Sequence, residues 1–287
     1  MSQQPSPDRS KVTTASFQTK KRDGQPISVL TAYDYPTAVA VDRAGLDAIL
    51  VGDSLGMVVL GYENTLPVTM DDMLHHCKAV ARGAHTPLLI GDMPFLSYQV
   101  STEEAVRNAG RFLQEGGMDV VKLEGGRDRV NTVKAIVGAG IPVMGHLGLT
   151  PQSVHKLGGY RTQGKTAQAG KQLLDEALLL QEAGCFSLVL ESIPARLGEL
   201  VSQRLDIPTI GIGAGPKCDG QVLVIHDLLG LFDRFTPRFV KQYARLHDVI
   251  AKALREFKQD VETGAFPTAD HSFTMSDDEW EALQDLP

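Results

Sequence analysis

Eight short apolar segments are spaced along the chain, and five consecutive ones end in a side chain that can bind a metal ion or move a proton. The first of the five, AILVGDSLG from Ala48, ends its apolar run at Asp53 and Ser54. The same pattern ends LLIGD at Asp92, VVKLE at Glu124, PVMGH at His146 and LVLE at Glu191. Unbroken apolar runs of this kind are typical of strands buried on both faces. Their repetition favours folds built on a parallel sheet.

Helical segments separate these apolar runs. The segment PTAVAVDRAG, for example, carries Pro36 in its first turn and ends at Gly45, as helices commonly do. A last long helix is predicted from about Pro237 to Glu262. Strands that alternate with helices predict a parallel sheet. An α/β fold in the form of a closed (β/α)₈ TIM barrel explains eight such units better than a doubly wound sheet, which does not need eight.

The composition of the 287 residues changes only at the two ends of the chain. Residues 1–10 are rich in Ser, Pro and Gln and are predicted to be a disordered tail. Residues 11–266 are predicted to form one catalytic barrel domain, and residues 267–287 an acidic C-terminal tail. Within the domain, a long polar loop is expected from Ser54 to Thr69. The motif GIGAG at Gly211 lacks the Lys and Ser/Thr of a P-loop, so it predicts a tight loop instead of a phosphate site.

Charge and composition exclude several classes of partner. A formal net charge of -7 argues against nucleic acid, which requires a basic face. No apolar run approaches the roughly 20 residues of a membrane-spanning helix, and the start MSQQPSPDRS lacks the apolar centre of a signal peptide. We therefore expect no membrane partner and a cytoplasmic location. The three widely separated cysteines predict neither a disulfide framework nor a thiolate zinc site.

The polar strand ends are the candidate functional site, because barrel enzymes carry their chemistry at the C-terminal ends of the strands. Any one of the acids could instead cap the following helix, but several are followed by Gly and not by a helix start. Asp53, Asp92 and Glu124 offer carboxylate oxygens. With no cysteine or HxxxH pattern nearby, these oxygens suit Mg²⁺ better than Zn²⁺.

An α-keto acid could chelate such an ion, which would polarise the keto group and stabilise an enolate. The pattern therefore predicts proton abstraction next to a carbonyl. Glu191, behind the apolar LVL, is the candidate base, although it could also be a cap or an ion-pair partner. Lys122 lies two residues before Glu124 and points to the same side; it is expected to anchor an anionic substrate as a paired ammonium and not as a Schiff base. His146 could orient or protonate the substrate, or satisfy a buried hydrogen bond.

Ten motifs together resemble the ketopantoate hydroxymethyltransferase family. They extend over roughly residues 11–273, nearly the whole chain, and the combination is far more specific than any one motif. They are TAYDYP, VGDSLGM, TLPVT, GDMPF, VKLEGG, GHLGLTPQSV, GGY, LVLESIP, GIGAG and DGQVLVIHD. The resemblance implies a (β/α)₈ barrel of the phosphoenolpyruvate/pyruvate superfamily. It also implies Mg²⁺ as cofactor, 5,10-methylenetetrahydrofolate as co-substrate, and a homo-oligomer, often a decamer.

The resemblance further implies a role for each matching residue. Metal positions are matched by Asp53, Asp92 and Glu124. Contacts to the α-keto acid, 3-methyl-2-oxobutanoate, are expected from Asp53, Ser54, Asp92, Lys122 and His146. Glu191 matches the proton acceptor. The implied reaction forms 2-dehydropantoate in the biosynthesis of pantothenate and coenzyme A.

Two alternatives remain open from the sequence. The first is a lyase or mutase of the same superfamily that acts on another α-keto or phosphonate acid, although no cysteine lies among the acids at the strand ends, where a gating loop would be expected to carry one. The second is a catalytically inactive barrel that serves as an assembly scaffold. The chain departs from the family pattern at Ser192 and Ile193, which replace other small or apolar residues, and in the tail after Phe273.

Overall fold

The computed structural model describes residues 9–286, and its centre is a closed barrel of eight parallel strands. Each strand pairs with the next in sequence, and β8 pairs with β1 to close the ring. The strands are β1 Ile27–Thr31, β2 Ala48–Val51, β3 Leu88–Asp92, β4 Val120–Glu124, β5 Val143–Gly148, β6 Ser187–Glu191, β7 Thr209–Ile212 and β8 Gly220–Leu223. All eight correspond to the predicted apolar runs. The predicted (β/α)₈ barrel is confirmed.

Helices surround the barrel. In the described part of the chain they are α1 Thr14–Arg22, α2 Tyr35–Ala44, α3 Leu55–Val58, α4 Met70–Gly83, α5 Thr102–Gln114, α6 Val130–Gly138, α7 Val154–Leu157, α8 Ala167–Glu182, α9 Ala195–Arg204, α10 Ile225–Leu228, α11 Leu246–Thr263 and α12 Asp277–Gln284. Capping residues determine where several of these helices begin or end. Thr69 and Asp72 form a capping box at the start of α4, and Gly45 ends α2 with a φ of 82°.

Two apolar layers hold the barrel together. One lies between the strands and the surrounding helices and includes Ile49, Phe112 and Leu188. The other fills the interior, where Ile90 and Val120 are fully or almost fully buried. Helix α1 closes the end at which the strands begin, since Phe17 is completely buried and packs against the edge of Phe186 with ring centroids 5.9 Å apart. The opposite end stays free for polar side chains.

The C-terminal region differs from the prediction. The last long helix begins at Leu246 and not near Pro237, because the preceding residues are tied back to the end of α10: the Tyr243 N–H donates to the Leu228 carbonyl at 2.8 Å. No residue of α11 is buried. The predicted loop after Ser54 contains the short helix α3, and the acidic tail contains α12.

The N-terminal end of the described chain contacts the barrel through Arg9. Residues 1–8 of the predicted N-terminal tail lie outside the described residues. Arg9 donates to the carbonyl of Gly45 at 2.7 Å. Between residues 9 and 286, no helix has the length and apolar character needed to cross a membrane.

Candidate active site

All seven side chains singled out in the sequence face one cavity of about 380 Å³ at the C-terminal end of the barrel. Strand register explains the grouping. Asp92 pairs with Lys122 across β3 and β4, and Glu124 pairs with His146 across β4 and β5. Parallel neighbours in register point the same way, so these side chains meet inside the ring. The cavity lies in the size range of ligand pockets.

Lys122 is a buried ammonium between carboxylates. Its Nζ lies 2.7 Å from Asp92 Oδ1 and 3.4 Å from His146 Nδ1. Burial lowers the pKa of Lys122, but the negative charges of Asp92, Glu124 and Asp53 outweigh it and hold the pKa above its usual value. The amine therefore stays charged, which opposes imine formation.

Asp53 and Asp92 are held close together with their charges incompletely balanced. Burial and the neighbouring carboxylates raise the pKa of Asp53 well above its usual value. Burial likewise raises the pKa of Asp92, although Lys122 opposes this. Asp92 Oδ1, despite its short distance to Lys122, has no aligned hydrogen-bond donor. Repelling carboxylates with a free lone pair are stabilised by a cation.

The chemistry of these oxygens fits a hard divalent ion such as Mg²⁺, whose preferred ligands are carboxylates and water. The side chains are not gathered around one point, however. Among residues 9–286, no three His, Cys, Asp or Glu side chains are arranged closely enough to surround a metal ion. Lys122 and Gln152 hold Asp92 and Asp53 in the present positions.

Gln152 is a buried residue that the sequence analysis missed. Its side-chain amide donates to Asp53 Oδ2 at 3.0 Å and to the Met93 carbonyl at 2.9 Å, and its backbone N–H donates to Glu124 Oε2 at 3.0 Å. Its carbonyl oxygen accepts from the Tyr98 hydroxyl at 2.6 Å. Gln152 therefore connects two of the three acids. The only signal in the sequence was its place in the GHLGLTPQSV motif.

His146 connects Glu124 with Glu191. Its Nδ1 lies 3.4 Å from Glu124 Oε1, and its Nε2 lies 3.1 Å from Glu191 Oε2 without hydrogen-bond alignment. Burial and the Lys122 ammonium lower the pKa of His146, but the two carboxylates outweigh them and raise it to about 9. The two carboxylates therefore favour the protonated form of the imidazole. Glu191 is the most exposed of these acids, with 15% of its side-chain surface accessible, so it can reach a ligand.

The backbone around Glu191 requires unusual conformations. Gly148 has a φ of 96°, and a Cβ at this position would collide with the Glu191 carbonyl oxygen. That carbonyl accepts from the Leu149 N–H at 2.8 Å. Ser192, directly after Glu191, has a φ of 48°, which is costly for a residue other than Gly. The contact between the ends of β5 and β6 therefore sets the position of Glu191.

Further residues that the sequence analysis missed lie behind and around the cavity. The buried Tyr33 supports Ser54, since its hydroxyl is 2.8 Å from Ser54 Oγ. Asp227, in the short helix α10 after β8, and Phe239, in the segment of residues 231–245, line the cavity. A Cβ on Gly213 would lie 2.8 Å from the Phe239 ring, so the GIGAG motif forms a tight loop that accommodates this ring. Sequence patterns gave no indication of these contacts, because they join segments without periodicity.

Solved structures with the same fold have distant sequences. A phosphonopyruvate hydrolase matches with a TM-score of 0.60 at 13% identity, covering 96% of this chain and 95% of that one. A 2,3-dimethylmalate lyase of the PEP mutase/isocitrate lyase superfamily matches with a TM-score of 0.59 at 15% identity, covering 91% and 88%. At these identities the likeness shows the fold alone.

Sequence relatives are much closer. Two proteins named 3-methyl-2-oxobutanoate hydroxymethyltransferase are among them. The one from Acetivibrio thermocellus is 57% identical over 93% of this chain and 94% of its own length. The one from Moorella thermoacetica is 59% identical over 92% and 98%. The family model described as ketopantoate hydroxymethyltransferase matches residues 11–269. With the barrel and the acids in place, this match shows that the chain belongs to the ketopantoate hydroxymethyltransferase family.

Proposed function

We propose that this chain is a 3-methyl-2-oxobutanoate hydroxymethyltransferase. It takes a one-carbon unit from 5,10-methylenetetrahydrofolate and forms 2-dehydropantoate, on the route to pantothenate and coenzyme A. The observation that supports this proposal most directly is the position of Glu191, which lies beside His146. The same cavity contains the Lys122 ammonium and three further carboxylates. The family membership supports the same activity. The cytoplasmic location predicted from the sequence is part of this proposal.

The base in this proposal is Glu191. Its carboxylate accepts the C3 proton of the α-keto acid, and the electron pair of the broken C–H bond moves into the enolate. The His146 ring, with Nε2 3.1 Å from Glu191 Oε2, orients Glu191. The enolate carbon then attacks the methylene carbon of the folate as its bond to one folate nitrogen breaks. The bond from that carbon to the second folate nitrogen breaks as water supplies the hydroxyl oxygen. The proton taken up by Glu191 and the proton released by the water end on the two folate nitrogens.

The remaining groups bind and orient the α-keto acid. Lys122 supplies a fixed positive charge for the carboxylate of the substrate, and Ser54, held by Tyr33, offers a hydroxyl donor. Asp53, Asp92 and Glu124 would hold Mg²⁺. The ion, when bound, supplies a Lewis acid that polarises the keto oxygen and stabilises the enolate charge. Burial in the barrel excludes water, which strengthens these charge interactions.

The test is exchange of the C3 proton of 3-methyl-2-oxobutanoate in D₂O, followed by NMR with Mg²⁺ and without folate. Wild type is expected to exchange the proton, and Glu191→Gln is expected to lose at least a hundredfold in rate, within the range that general bases contribute. Glu182→Gln, an exposed acid at the end of α8, is the matched control. Equal rates in Glu191→Gln and wild type would exclude Glu191 as the base. No Mg²⁺-dependent exchange in wild type would favour the scaffold alternative.

The chain is also proposed to act as a homo-oligomer. Helix α11 exposes an apolar side that includes Ile250, Leu254 and Phe257, and such a side is normally covered in a stable protein. Outside the barrel, a groove along β1 and β8 is lined by Leu30, Leu46 and other apolar residues. In the proposed oligomer, apolar surface of a second copy of the chain covers both the apolar side of α11 and this groove.

Light scattering after size-exclusion chromatography tests this association. The decamer implied by the family resemblance would elute at ten times the chain mass of 31.1 kDa. The double variant Leu254→Glu, Phe257→Glu is expected to dissociate the assembly, because charges placed in an apolar contact are expensive to bury. Lys258→Glu, on the same helix, is the control for added negative charge. A monomeric wild type would refute the proposal.

A further inference from the structure

Asp227 is a half-buried carboxylate that the proposed mechanism does not use. It follows β8 and lines the same cavity as Glu191. Burial raises the pKa of Asp227 to about 6, and no hydrogen bond or positive charge from the described residues opposes the shift. A carboxylate in partly apolar surroundings without a donor is unfavourable. A ligand that brings hydrogen-bond donors would remove this cost.

Three aromatic rings line the same cavity as this carboxylate. Phe235 and Phe239 come from the segment of residues 231–245, and Tyr160 comes from the loop after β5; all three line the cavity. Phe235 and Tyr160 have about half of their surface exposed, at 54% and 50%. Exposed rings next to a cavity offer flat apolar faces, and flat heterocycles stack on such faces.

The cavity therefore has two chemically different parts. The ends of β2 to β6 supply the charged groups around Lys122, whereas the ends of β7 and β8 and the residues after them supply Asp227, Phe235, Phe239 and apolar residues such as Ile212 and Val224. Tyr160, after β5, lies on the side of the charged groups, where its hydroxyl is 3.8 Å from Met57. The proposed reaction needs a small, doubly oxygenated acid in the first part. The second part has the character of a site for a flat ring with a polar edge.

We infer that Asp227, Phe235 and Phe239 form the binding site for the pterin ring of the folate co-substrate. A reduced pterin carries an N–H and an amino group side by side on its pyrimidine edge, and both are donors. An ionised carboxylate is an acceptor with two oxygens and pairs with such an edge through two parallel hydrogen bonds. The ring faces contact the phenylalanines, and the aminobenzoyl-glutamate part extends past the exposed rim.

The inference rests on the proposed function, since only that function calls for a folate. The residues of the inferred pterin site are nevertheless different from Glu191 and from the acids that would hold Mg²⁺. Asp227 and the two phenylalanines belong to the segments after β8, and Asp227 makes no side-chain hydrogen bond to the charged group around Lys122 among the described residues. Folate binding and α-keto acid activation are thus separable by mutation.

The test is direct binding of 5-formyltetrahydrofolate, a stable reduced folate, measured by calorimetry on the full chain with Mg²⁺. Asp227→Asn keeps the shape but places an amide donor against the pterin donors, and it is expected to weaken binding roughly tenfold to a hundredfold. Phe235→Ala, a half-exposed position where a folding defect is not expected, should weaken binding roughly tenfold. Asp233→Asn makes the same change on the same segment outside the cavity and should bind like wild type.

Proton exchange separates this inference from the proposed function. Exchange of the C3 proton requires no folate, so Asp227→Asn is expected to exchange the proton while losing folate affinity. If wild type exchanges the proton but Asp227→Asn binds the folate as tightly as wild type, the pterin site is refuted and the proposed function stands. An equal loss in Asp233→Asn would also refute the site. If wild type does not exchange the proton, the proposed function fails, whatever the folate affinity of the variants.

Discussion

Replacing Gly148 with alanine is expected to displace the backbone that carries Glu191. The new Cβ would collide with the Glu191 carbonyl oxygen and lie 2.9 Å from Ile193 Cγ2. The φ of 96° adds strain that glycine avoids. Strain of about 1–2 kcal/mol and overpacking of about 1–3 kcal/mol together predict a loss of about 2–5 kcal/mol in the free energy of unfolding. A shift of the base by about 1 Å predicts a loss of about a hundredfold in the rate of C3 proton exchange.

Urea unfolding tests the predicted loss in the free energy of unfolding, and proton exchange measured on the same preparation tests the predicted loss in rate. Gly110→Ala is the matched control, because Gly110 lies within α5 with no atom within 4 Å of the new Cβ. That change is expected to raise the free energy of unfolding by about 0.5–1 kcal/mol and to leave exchange unaltered. If Gly148→Ala unfolds and exchanges like wild type, the contact between the ends of β5 and β6 does not position Glu191.

Three further changes test other parts of the structure. Asp47 accepts from Ser28 and pairs with Lys20 at 2.6 Å; burial alone would raise the pKa of Asp47, but these partners lower it. The stability that Asp47 contributes is therefore present above its unfolded-state pKa of about 3.9 and is lost as pH falls through the lower folded-state value. Asp47→Asn should cost about 1–3 kcal/mol in urea unfolding at about pH 7 and much less at about pH 3, and equal costs at both would contradict this reasoning. Gln152→Leu should lower the free energy of unfolding by about 1–3 kcal/mol for each buried polar group left unpaired, and a thermal unfolding curve like that of wild type would show that Gln152 does not support the acids. Ser192→Gly should raise the free energy of unfolding by up to about 1 kcal/mol, because relief of the positive φ exceeds the entropy cost of glycine; a clear decrease would mean that the serine side chain stabilises the turn.

The sequence predicted the barrel because its eight strands are apolar on both faces and alternate with helices, and five consecutive strands end at a polar residue. Asp53, Asp92 and Glu124 could be placed in one cavity by that rule alone, since the C-terminal ends of parallel strands meet. The direction of the Lys122 side chain was predicted from its two-residue spacing to Glu124. These predictions needed only the period of a strand and the topology of the fold.

The contacts of Gln152 and Asp227 could not be predicted in the same way. Both lie in short helical turns after the end of a strand, which strand periodicity does not predict. The role of Gln152 depends on Asp53, which is far away in sequence. The start of α11 was placed too early for a related reason. Residues from Pro237 onward look helical locally, but hydrogen bonds to the end of α10 prevent a helix until Leu246.

Helix α1 docks on parts of the barrel that are synthesised much later than the helix itself. Gln18 donates to the carbonyl of Asp206 and Lys21 pairs with Asp219, contacts that span 188 and 198 residues of sequence. Lys20 pairs with Asp47 on the other side of the junction between β1 and β8. The helix leaves the ribosome early, whereas Asp206 and Asp219 are synthesised almost 200 residues later, and contacts of such long range form slowly. Until β8 arrives, Phe17 has no interior to enter, so the first helix of the chain docks late and then holds the ring closed.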